Sequence, residues 1–444
     1  IYTLSLHDAL PIFGRRRAAA SADGSAASFT NVSGRNAWRD EKSAEVDGMI
    51  ASGFMYIASL TLFAGIVASL EMKYKDTAFF RYIPTPVILY VGCMLFATFD
   101  LWAANDEVKM AYKTVRGHII PAMIFVMLLR CDIRKILRLG PRMLLGFFSA
   151  TFTIMAGFAV MFYFMKDGFA PEAWKTFGAL AGSWIGGTAN MVAIQGALGI
   201  DDSAMGYTLL IDNVNYSIWV ILLLATVPLA HAFNRWTKSD THLIDELGTQ
   251  LAADQEKVRS NIEAADIALL FGLGFMASAL SSSAAASASP RLIEMFGKND
   301  FLSASTLSVV FATILGIVCA ATPLGRVPGS SQVSMSMLYL MICLIASRAN
   351  FKELTDAPYY LMAGFFILAV HAVLMAILAR IFRLDLFTCA TASLANIGAV
   401  ASAPLVAAAY KETLVPIGVL MALMGYIFGT FGGLAVAKML SMMV

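Results

Sequence analysis

The amino-acid sequence predicts an all-α, polytopic membrane protein of two related halves, arranged as inverted repeats, with an interrupted helix in each half. Its 444 residues are 59% hydrophobic and 14% charged, whereas soluble domains average about 45–50% apolar and about 25% charged residues. The apolar residues gather into twelve segments. Most of these approach the roughly 20 residues that a membrane-spanning helix needs. This composition excludes an ordinary soluble domain.

The segments form two groups of six on either side of a polar linker, residues 235–266. The first half, residues 49–234, contains apolar segments at 50–70, 82–101, 117–130, 141–165, 173–200 and 204–234. The second half, residues 267–444, contains apolar segments at 267–288, 301–321, 333–347, 358–381, 386–410 and 413–443. Segments 117–130 and 333–347 are short, so we expect them to be tilted, buried or partial crossings.

Residues 1–48 are predicted to lie outside this membrane body. Residues 2–12 resemble a translated sequencing adapter, and residues 15–47 are polar and rich in Ala, Ser and Gly. We therefore expect an artefactual or disordered extension, with Met49 as the start of the membrane part. A transit peptide is the alternative, but the acidic residues of this stretch argue against it.

Similarity between the halves indicates a duplication. A shift of 212 residues places Gly186 on Gly398 and Gly206 on Gly418. The loop at 130–142 carries five basic residues against one acidic residue, so we predict that it is cytoplasmic. The distribution of charge favours halves of opposite orientation, whereas six full crossings per half would make the halves parallel. Either one segment does not cross or the count is off by one.

In the fifth segment, Gly186 and Gly187 are predicted to interrupt a helix near mid-membrane, because glycine costs about 1 kcal/mol relative to alanine in a helix. The free N–H and C=O groups of such a break attract anions and cations respectively. Thr188 and Asn190 are predicted to bind a coupling cation. The residues predicted to contact a substrate here are Ser183, Gly186, Gly187 and Gln195. The alternative is that the glycines only allow helices to pack closely.

The corresponding segment of the second half, 386–410, also mixes polar residues, glycine and proline with apolar residues. We predict that Asn396 and Ser402 contact the substrate and that the break lies near Gly398. Two interrupted segments at corresponding positions are the best pointer in a sequence to the binding site of a transporter.

Asp212 lies in the sixth segment, where an ionisable side chain is costly and indicates a functional site by default. Asn215 and Tyr216 follow at i+3 and i+4, so they share a helix face with it. We predict that Asp212 and Asn213 bind the coupling cation and that Asn215 and Tyr216 contact the substrate. The alternative is a hydrogen-bonded aspartate that only holds helices together.

Four other polar residues receive structural predictions. Asp201 and Asp202 are expected to cap the following helix. His371 is expected to be a hydrogen-bonded packing residue, with a proton relay as the alternative. Arg130 lies near the end of its segment and is expected to extend towards the membrane interface.

The sequence offers little support for an enzyme. It contains no HExxH, no GxxxxGK[ST] and no GxSxG motif, which lowers the expectation of zinc, nucleotide or acyl-transfer chemistry. Its five cysteines are far apart, so we expect no transition metal and no disulfide. We expect no cofactor other than Na⁺ and, in the absence of a long basic run, no nucleic acid.

Two stretches, SWIGGTANMVAIQ at 183–195 and LLIDNVNYSIW at 209–219, resemble an uncharacterised multi-pass family of bacteria and plastids, domain of unknown function 819. The resemblance covers residues 48–444. The family is grouped with the superfamily of cation–proton antiporters and anion transporters. It implies inverted repeats with an interrupted helix in each. In the antiporters of that superfamily the next helix carries an Asp-Asp or Asn-Asp pair. Asp212 and Asn213 are similar to that pair in position but not in order.

The function expected from these features is secondary transport of a small solute, an organic anion, coupled to Na⁺ or H⁺. The expected partners are that solute, a monovalent cation, the lipid bilayer and a second copy of the chain in a homodimer. The expected location is the bacterial cytoplasmic membrane, with the plastid envelope as the alternative. A cation/proton antiporter and a non-transport sensor or scaffold are the alternative functions.

Overall fold

The computed structural model describes residues 50–74, 77, 79–80, 85–239, 244, 247–251, 261–297, 299–348 and 357–444. The predicted extension at 1–48 lies outside these residues, as do parts of the predicted linker at 235–266. Within the described ranges, helices account for the regular structure, apart from one isolated β-bridge between Ile50 and Trp102. The all-α prediction is confirmed for this part of the chain.

The helices follow the predicted apolar segments closely. In chain order they are α1 (Gly53–Tyr74), α2 (Thr85–Thr98), α3 (Asp106–Leu128), α4 (Ile133–Leu137), α5 (Gly140–Met165), α6 (Ala173–Gly186), α7 (Thr188–Leu198), α8 (Met205–Thr226), α9 (Ala230–Thr237), α10 (Ala264–Phe296), α11 (Ala304–Ala320), α12 (Ser330–Ala346), α13 (Ala357–Phe382), α14 (Leu386–Ile397), α15 (Ala399–Tyr410) and α16 (Val415–Ser441).

Several of these helices are long and apolar enough to cross a membrane. By length and composition the described residues contain six such stretches: Gly53–Tyr74, Gly140–Gly168, Met205–Thr237, Ala264–Phe296, Pro358–Phe382 and Glu412–Ser441. Helices α2, α11, α12 and α14 are apolar but shorter. The chain is therefore a membrane protein with several transmembrane helices.

Helix α3 is longer than the apolar segment predicted at 117–130. It begins at Asp106 and has 23 residues, because the side chain of Asn105 accepts a hydrogen bond from the backbone N–H of Val108 and caps the helix. Acidic residues in its first turn suit the positive end of the helix dipole. A search for apolar residues does not detect these charged turns, which explains why the predicted segment is shorter than the helix.

Helices α6 and α7 form a hairpin, which we call hairpin 1. Gly187 joins them with a φ of +88°, a conformation that favours glycine. A Cβ placed on Gly182 would lie 3.4 Å from the carbonyl carbon of Asn190, although eight residues of straight helix span about 12 Å. The predicted segment at 173–200 therefore turns back at Gly187 instead of continuing along one axis.

Helices α14 and α15 form a second hairpin, hairpin 2. Its turn includes Ala399, a non-glycine residue with a φ of +50°. The Ser402 hydroxyl donates to the Leu394 carbonyl at 3.4 Å across the turn. The rings of Phe387 and Tyr410, at the two open ends, lie 5.4 Å apart in a T-shaped contact. The predicted segment at 386–410 is thus also folded back on itself.

The open end of hairpin 1 lies beside the start of α11. There the Ser305 hydroxyl donates to the Ala197 carbonyl at 3.1 Å, and the rings of Trp174 and Phe301 are 6.1 Å apart. Both limbs of hairpin 1 therefore start and finish at the same end of the molecule.

The open end of hairpin 2 lies at the other end, beside the basic loop 130–142. Arg142 Nε lies 4.0 Å from the buried Asp385 carboxylate just before α14. Arg134 Nη2, in the same loop, donates to the Ala321 carbonyl just after the last residue of α11. We call this the basic-loop end of the molecule. The two hairpins enter the protein from opposite ends.

Glycines hold hairpin 1 against α16. Gly178, Gly182 and Gly186 of α6 recur every fourth residue, and so do Gly425, Gly429 and Gly433 of α16. A Cβ on Gly429 would lie 2.8 Å from the Cα of Gly186, so side chains are excluded where the two backbones touch. Gly186 therefore serves close helix packing, whereas Gly187 forms the turn.

Candidate functional site

The tips of the two hairpins meet in the interior. A Cβ placed on Gly187 would lie 2.9 Å from the Cβ of Ala399, so the backbones of the two turns are in contact. Both tips line a cavity of about 240 Å³. The first turns of α7 and α15 reach this cavity, so each directs the positive end of its dipole towards it.

The wall of the cavity combines the tips with residues of other helices. The polar and charged residues in it are Glu71, Thr85, Arg130, Thr188, Asp212, Asn213, Tyr216, Ser331, Ser334, Tyr339 and Tyr426. We call this space the Asp212 cavity. It extends from the hairpin tips to the ends of α1, α3 and α12 at the basic-loop end.

Asp212 of α8 is held at the tip of hairpin 1. Its side chain is 7% exposed, and Trp184 Nε1 donates to Oδ1 at 3.1 Å. The side chains of Ser183 and Thr188 also interact electrostatically with the carboxylate. Ser183 and Trp184 come from the last turn of α6 and Thr188 from the first turn of α7, so the turn at Gly187 collects these donors around one carboxylate.

Two further charged residues lie in the outer part of the cavity. Arg130 Nη1 donates to the Ser331 hydroxyl at 2.6 Å, and the Tyr339 hydroxyl lies 3.4 Å from Glu71 Oε2. Sequence reasoning assigned Arg130 to the membrane interface and did not consider Glu71. The sequence places Arg130 next to an apolar segment, but it does not show which way the helix is rotated or which residues lie nearby. It therefore did not predict that the guanidinium of Arg130 points into the cavity.

Tyr216 of α8 lies against the tip of hairpin 2. Its ring lines the cavity, and its side chain interacts with that of Ser402 in hairpin 2. Asn213 also lines the cavity, although its side-chain nitrogen donates to the Leu209 carbonyl at 2.7 Å. This bond leaves the amide oxygen of Asn213 as the side-chain atom available to the cavity.

Two predicted asparagines lie in helix packing instead of on the cavity wall. Asn190 donates to the Gly186 carbonyl at 2.7 Å and accepts from the Thr430 hydroxyl at 2.7 Å. Asn396 accepts from the Thr151 hydroxyl at 2.7 Å and donates to the carbonyl four residues earlier at 2.9 Å. Both amides therefore fasten a hairpin to a neighbouring helix, and they offer no free ligand atom to the cavity.

Gln195 and Asn215 also lie away from the Asp212 cavity. Gln195 Nε2 donates to Asp202 Oδ1 at 2.8 Å, and the Tyr112 hydroxyl donates to Asp202 Oδ2 at 2.6 Å. Asn215 donates to the Leu361 carbonyl of α13 at 3.2 Å. The expectation that Asp202 caps α8 is wrong, because the N-cap is Ala204 and no side chain bonds there.

His371 makes two buried hydrogen bonds. Its Nδ1 lies 2.8 Å from the Thr153 hydroxyl, and its Nε2 lies 2.9 Å from the Ser393 hydroxyl. Trp219 Nε1 donates to the same Ser393 oxygen at 2.9 Å. This arrangement ties α5, α8, α13 and α14 together, which is the environment of a packing histidine.

The predicted residues thus divide into two sets. Those that line the Asp212 cavity or interact with residues of its wall are Ser183, Gly187, Thr188, Asp212, Asn213, Tyr216 and Ser402. Those that lie in helix packing are Gly186, Asn190, Gln195, Asn215 and Asn396.

The first set presents a carboxylate, hydroxyls and an amide oxygen, which are the ligand types that hard cations prefer. In the described part of the chain, no cluster of three or more His, Cys, Asp or Glu side chains has the arrangement of a metal site. A cation at the tip of hairpin 1 would therefore need hydroxyl and backbone oxygens as ligands in addition to the carboxylate of Asp212.

Two comparisons identify relatives of the chain. It is 23% identical over 340 residues to a protein of Bacillus subtilis (strain 168) described as "Uncharacterized membrane protein YjcL". That match covers 74% of this chain and 81% of the relative. A family model, described as "Protein of unknown function (DUF819)", matches residues 58–443. The chain belongs to this DUF819 family.

Proposed function

We propose that this protein is a secondary active transporter of a small organic anion, coupled to Na⁺ or H⁺ through Asp212. The observation that carries the proposal is the meeting of two hairpin tips, a buried carboxylate and an arginine in one cavity. In lipid, non-helical backbone at membrane depth is tolerated where it is packed in protein or lines a water-filled cavity. An ionisable group at such a position marks a functional site by default.

The hairpins support inverted repeats. The fifth segment of each half is the hairpin, which leaves five elements per half to cross and gives the halves opposite orientations. The helices of the fourth predicted segment in each half, α5 and α13, lie antiparallel. Arg142 Nη2 donates to the Arg383 carbonyl at 2.7 Å at one end, and the Tyr359 hydroxyl donates to the Met165 carbonyl at 2.9 Å at the other. The interrupted helices expected from the sequence thus become re-entrant hairpins in this proposal.

An organic anion suits the charge distribution around the cavity. The dipoles of α7 and α15 point their positive ends into it, and Arg130 adds a full charge that can pair with a carboxylate. The volume of about 240 Å³ is below the roughly 300–1,000 Å³ typical of sites for drug-sized ligands. A solute of metabolite size therefore fits better than a large one.

Asp212 is the proposed coupling group because it is the buried carboxylate at the tip of hairpin 1. The shift of 212 residues places Met424 opposite it, so only one half carries the acid. Binding Na⁺ or H⁺ would neutralise the carboxylate and lower the cost of closing the cavity around it. The bacterial cytoplasmic membrane is the proposed location.

The test is the thermal stability of the purified full chain in Na⁺, Li⁺ and K⁺ at several pH values. A ligand that binds only the folded state raises the unfolding midpoint with the logarithm of its concentration above Kd. We expect a shift that is specific for Na⁺ or for pH and is lost in Asp212→Asn. Asp201→Asn, an exposed neighbour outside the cavity, should keep it. A wild type without either response, or a response that Asp212→Asn retains, would contradict the proposal.

A further inference from the structure

A second cavity lies at the end of the molecule opposite the basic-loop end. It has a volume of about 350 Å³ and lies between α3, α7, α10 and α11. Helix α3 lines both cavities: residues 112–121 face this one, whereas Met123, Met127 and the following Arg130 face the Asp212 cavity. The two spaces are therefore separate and open towards opposite ends of α3.

The lining of the second cavity is basic. Lys113 and Arg116 contribute positive charge, and the described residues of the wall include no acidic side chain. No carboxylate among the described residues forms an ion pair with Arg116. The nearby Asp202 accepts hydrogen bonds from Tyr112 and Gln195, so both of its oxygen atoms already have donors.

The guanidinium of Arg116 has buried donors that lack acceptors in the described part of the chain. Its Nε and Nη2 atoms are buried, and neither has a hydrogen-bond partner among the described residues. A buried donor without an acceptor is costly, more so when it is charged. The guanidinium lies over the ring of Tyr112, with 5.7 Å from Cζ to the ring centroid, which fixes its position without using its N–H groups.

Hydroxyl groups complete the wall opposite the arginine. The hydroxyls of Ser282 and Ser308 are 3.1 Å apart, and a hydroxyl that accepts from its neighbour keeps its own proton free to donate. Gly117 has no atom within 4 Å of an added Cβ, so the space beside Arg116 is open. Two adjacent guanidinium N–H groups and a hydroxyl match the oxygen atoms of one planar or tetrahedral oxyanion.

We propose that this second cavity, the Arg116 cavity, is a binding site for a small oxyanion, a carboxylate, sulfate or phosphate group. Arg116 binds two of its oxygen atoms, Lys113 adds charge at the mouth, and Ser308 donates to a third oxygen. The site depends on the geometry of this cavity alone, so it holds whether or not the Asp212 cavity transports an anion.

The experiment measures the unfolding midpoint of the full chain in neutral detergent against sulfate, phosphate and succinate, with chloride at equal ionic strength as the reference. Specific binding raises the midpoint with the logarithm of the anion concentration above Kd, whereas the general stabilising effect of sulfate rises in proportion to the concentration itself. We expect Arg116→Gln to raise the apparent Kd by about tenfold or more, because the variant loses a pair of charge-assisted hydrogen bonds to the anion. Arg291→Gln, at an exposed arginine of α10, is the matched control and should leave the Kd unchanged.

A second variant guards against a loss that reflects misfolding. Gly117→Leu adds a side chain where the structure has open space and raises helix propensity, so it should fold and yet obstruct the site. Anionic phospholipid that shifts the midpoint through Arg116, when soluble anions do not, would identify a headgroup as the oxyanion and still support the site.

Two results would overturn the inference. One is an anion response that is absent or equal in wild type, Arg116→Gln and Gly117→Leu. The other is a response that persists in Arg116→Gln but disappears in Arg130→Gln. The second result would assign the anion to the Asp212 cavity, so it would refute the Arg116 site while supporting the proposed transport function.

Discussion

Gly187 and Ala399 touch at the centre of the protein, although they belong to hairpins that enter from opposite ends. Both have positive φ, +88° and +50°, and they are 212 residues apart, the same shift that aligns Gly186 with Gly398 in the sequence. A Cβ on Gly187 would lie only 2.9 Å from the Cβ of Ala399. The two turns therefore form a single contact on which the Asp212 cavity is built.

Gly187→Ala should destabilise the protein. The backbone of Gly187, at φ +88° and ψ +167°, lies in a region used almost only by glycine, and other residues pay about 1–3 kcal/mol there. The free energy of unfolding in mixed micelles measures the loss. Gly272→Ala, in an open stretch of α10, should instead be neutral or gain up to about 1 kcal/mol. Equal effects of the two substitutions would contradict the tip geometry.

Ala399→Gly should be tolerated better than an ordinary alanine-to-glycine change. An L-residue in the left-handed region costs about 1–2 kcal/mol, and glycine removes that cost. Ala58→Gly, at an exposed position of α1, should lose about 0.5–1 kcal/mol because glycine loses more chain entropy on folding. Unfolding of both variants under the same conditions makes the comparison. A loss in Ala399→Gly as large as in Ala58→Gly would argue against the strained turn.

His371→Ala should reduce stability without changing the response to cations or pH. The substitution leaves the buried Thr153 and Ser393 hydroxyls short of a partner and opens a cavity, a combined cost of about 2 kcal/mol or more. Thermal unfolding with and without Na⁺ measures both effects, and His231→Ala at an exposed position is the control. A stable His371→Ala protein that has lost its pH response would instead favour a proton relay.

Asp202→Asn should make stability less dependent on pH. Burial in the turn between α7 and α8 raises the pKa of Asp202 above its ordinary value, against the attraction of Arg116. The stability contributed by a raised pKa is fully present below the pKa of the unfolded chain and is lost as pH rises through the folded pKa. Relative to wild type, the variant should therefore gain stability as pH rises from about 4. Asp201→Asn should follow the wild-type curve, and a parallel curve for Asp202→Asn would refute the prediction.

The apolar segments were predictable because membrane helices are recognisable by their high hydropathy. The break at Gly187 was predictable because two adjacent glycines disfavour a helix. The reversal of direction there was not. A hairpin and a kinked crossing have the same local sequence, and contacts such as that between Gly182 and Asn190 decide between them. The turn at Ala399 gave no local signal, since alanine is the best helix former and nothing in the sequence around it predicts its positive φ.

The lining of the Asp212 cavity was predictable in part. Asp212, Thr188 and Tyr216 stood out as polar residues in apolar segments, and they line the cavity. Asn190 and Asn396 stood out for the same reason, yet they bond to packing partners, because composition does not reveal which way a helix face turns. Arg116 carried no signal at all: a single arginine on an amphipathic helix is ordinary until its neighbours are known.

Helix α3 also sets the distance between two arginines, Arg116 within the helix and Arg130 just after its end. Arg116 and Arg130 are 14 residues apart, about 21 Å at 1.5 Å per residue, which is less than the roughly 30 Å thickness of the hydrocarbon core. In the proposed transporter, where water and ions enter a cavity from each end, the membrane voltage would fall mainly across the layer that separates the two cavities. A charge that crosses this layer exchanges about 2.3 kcal/mol per 100 mV with the field, so a short displacement between the cavities is equivalent, electrically, to crossing most of the membrane.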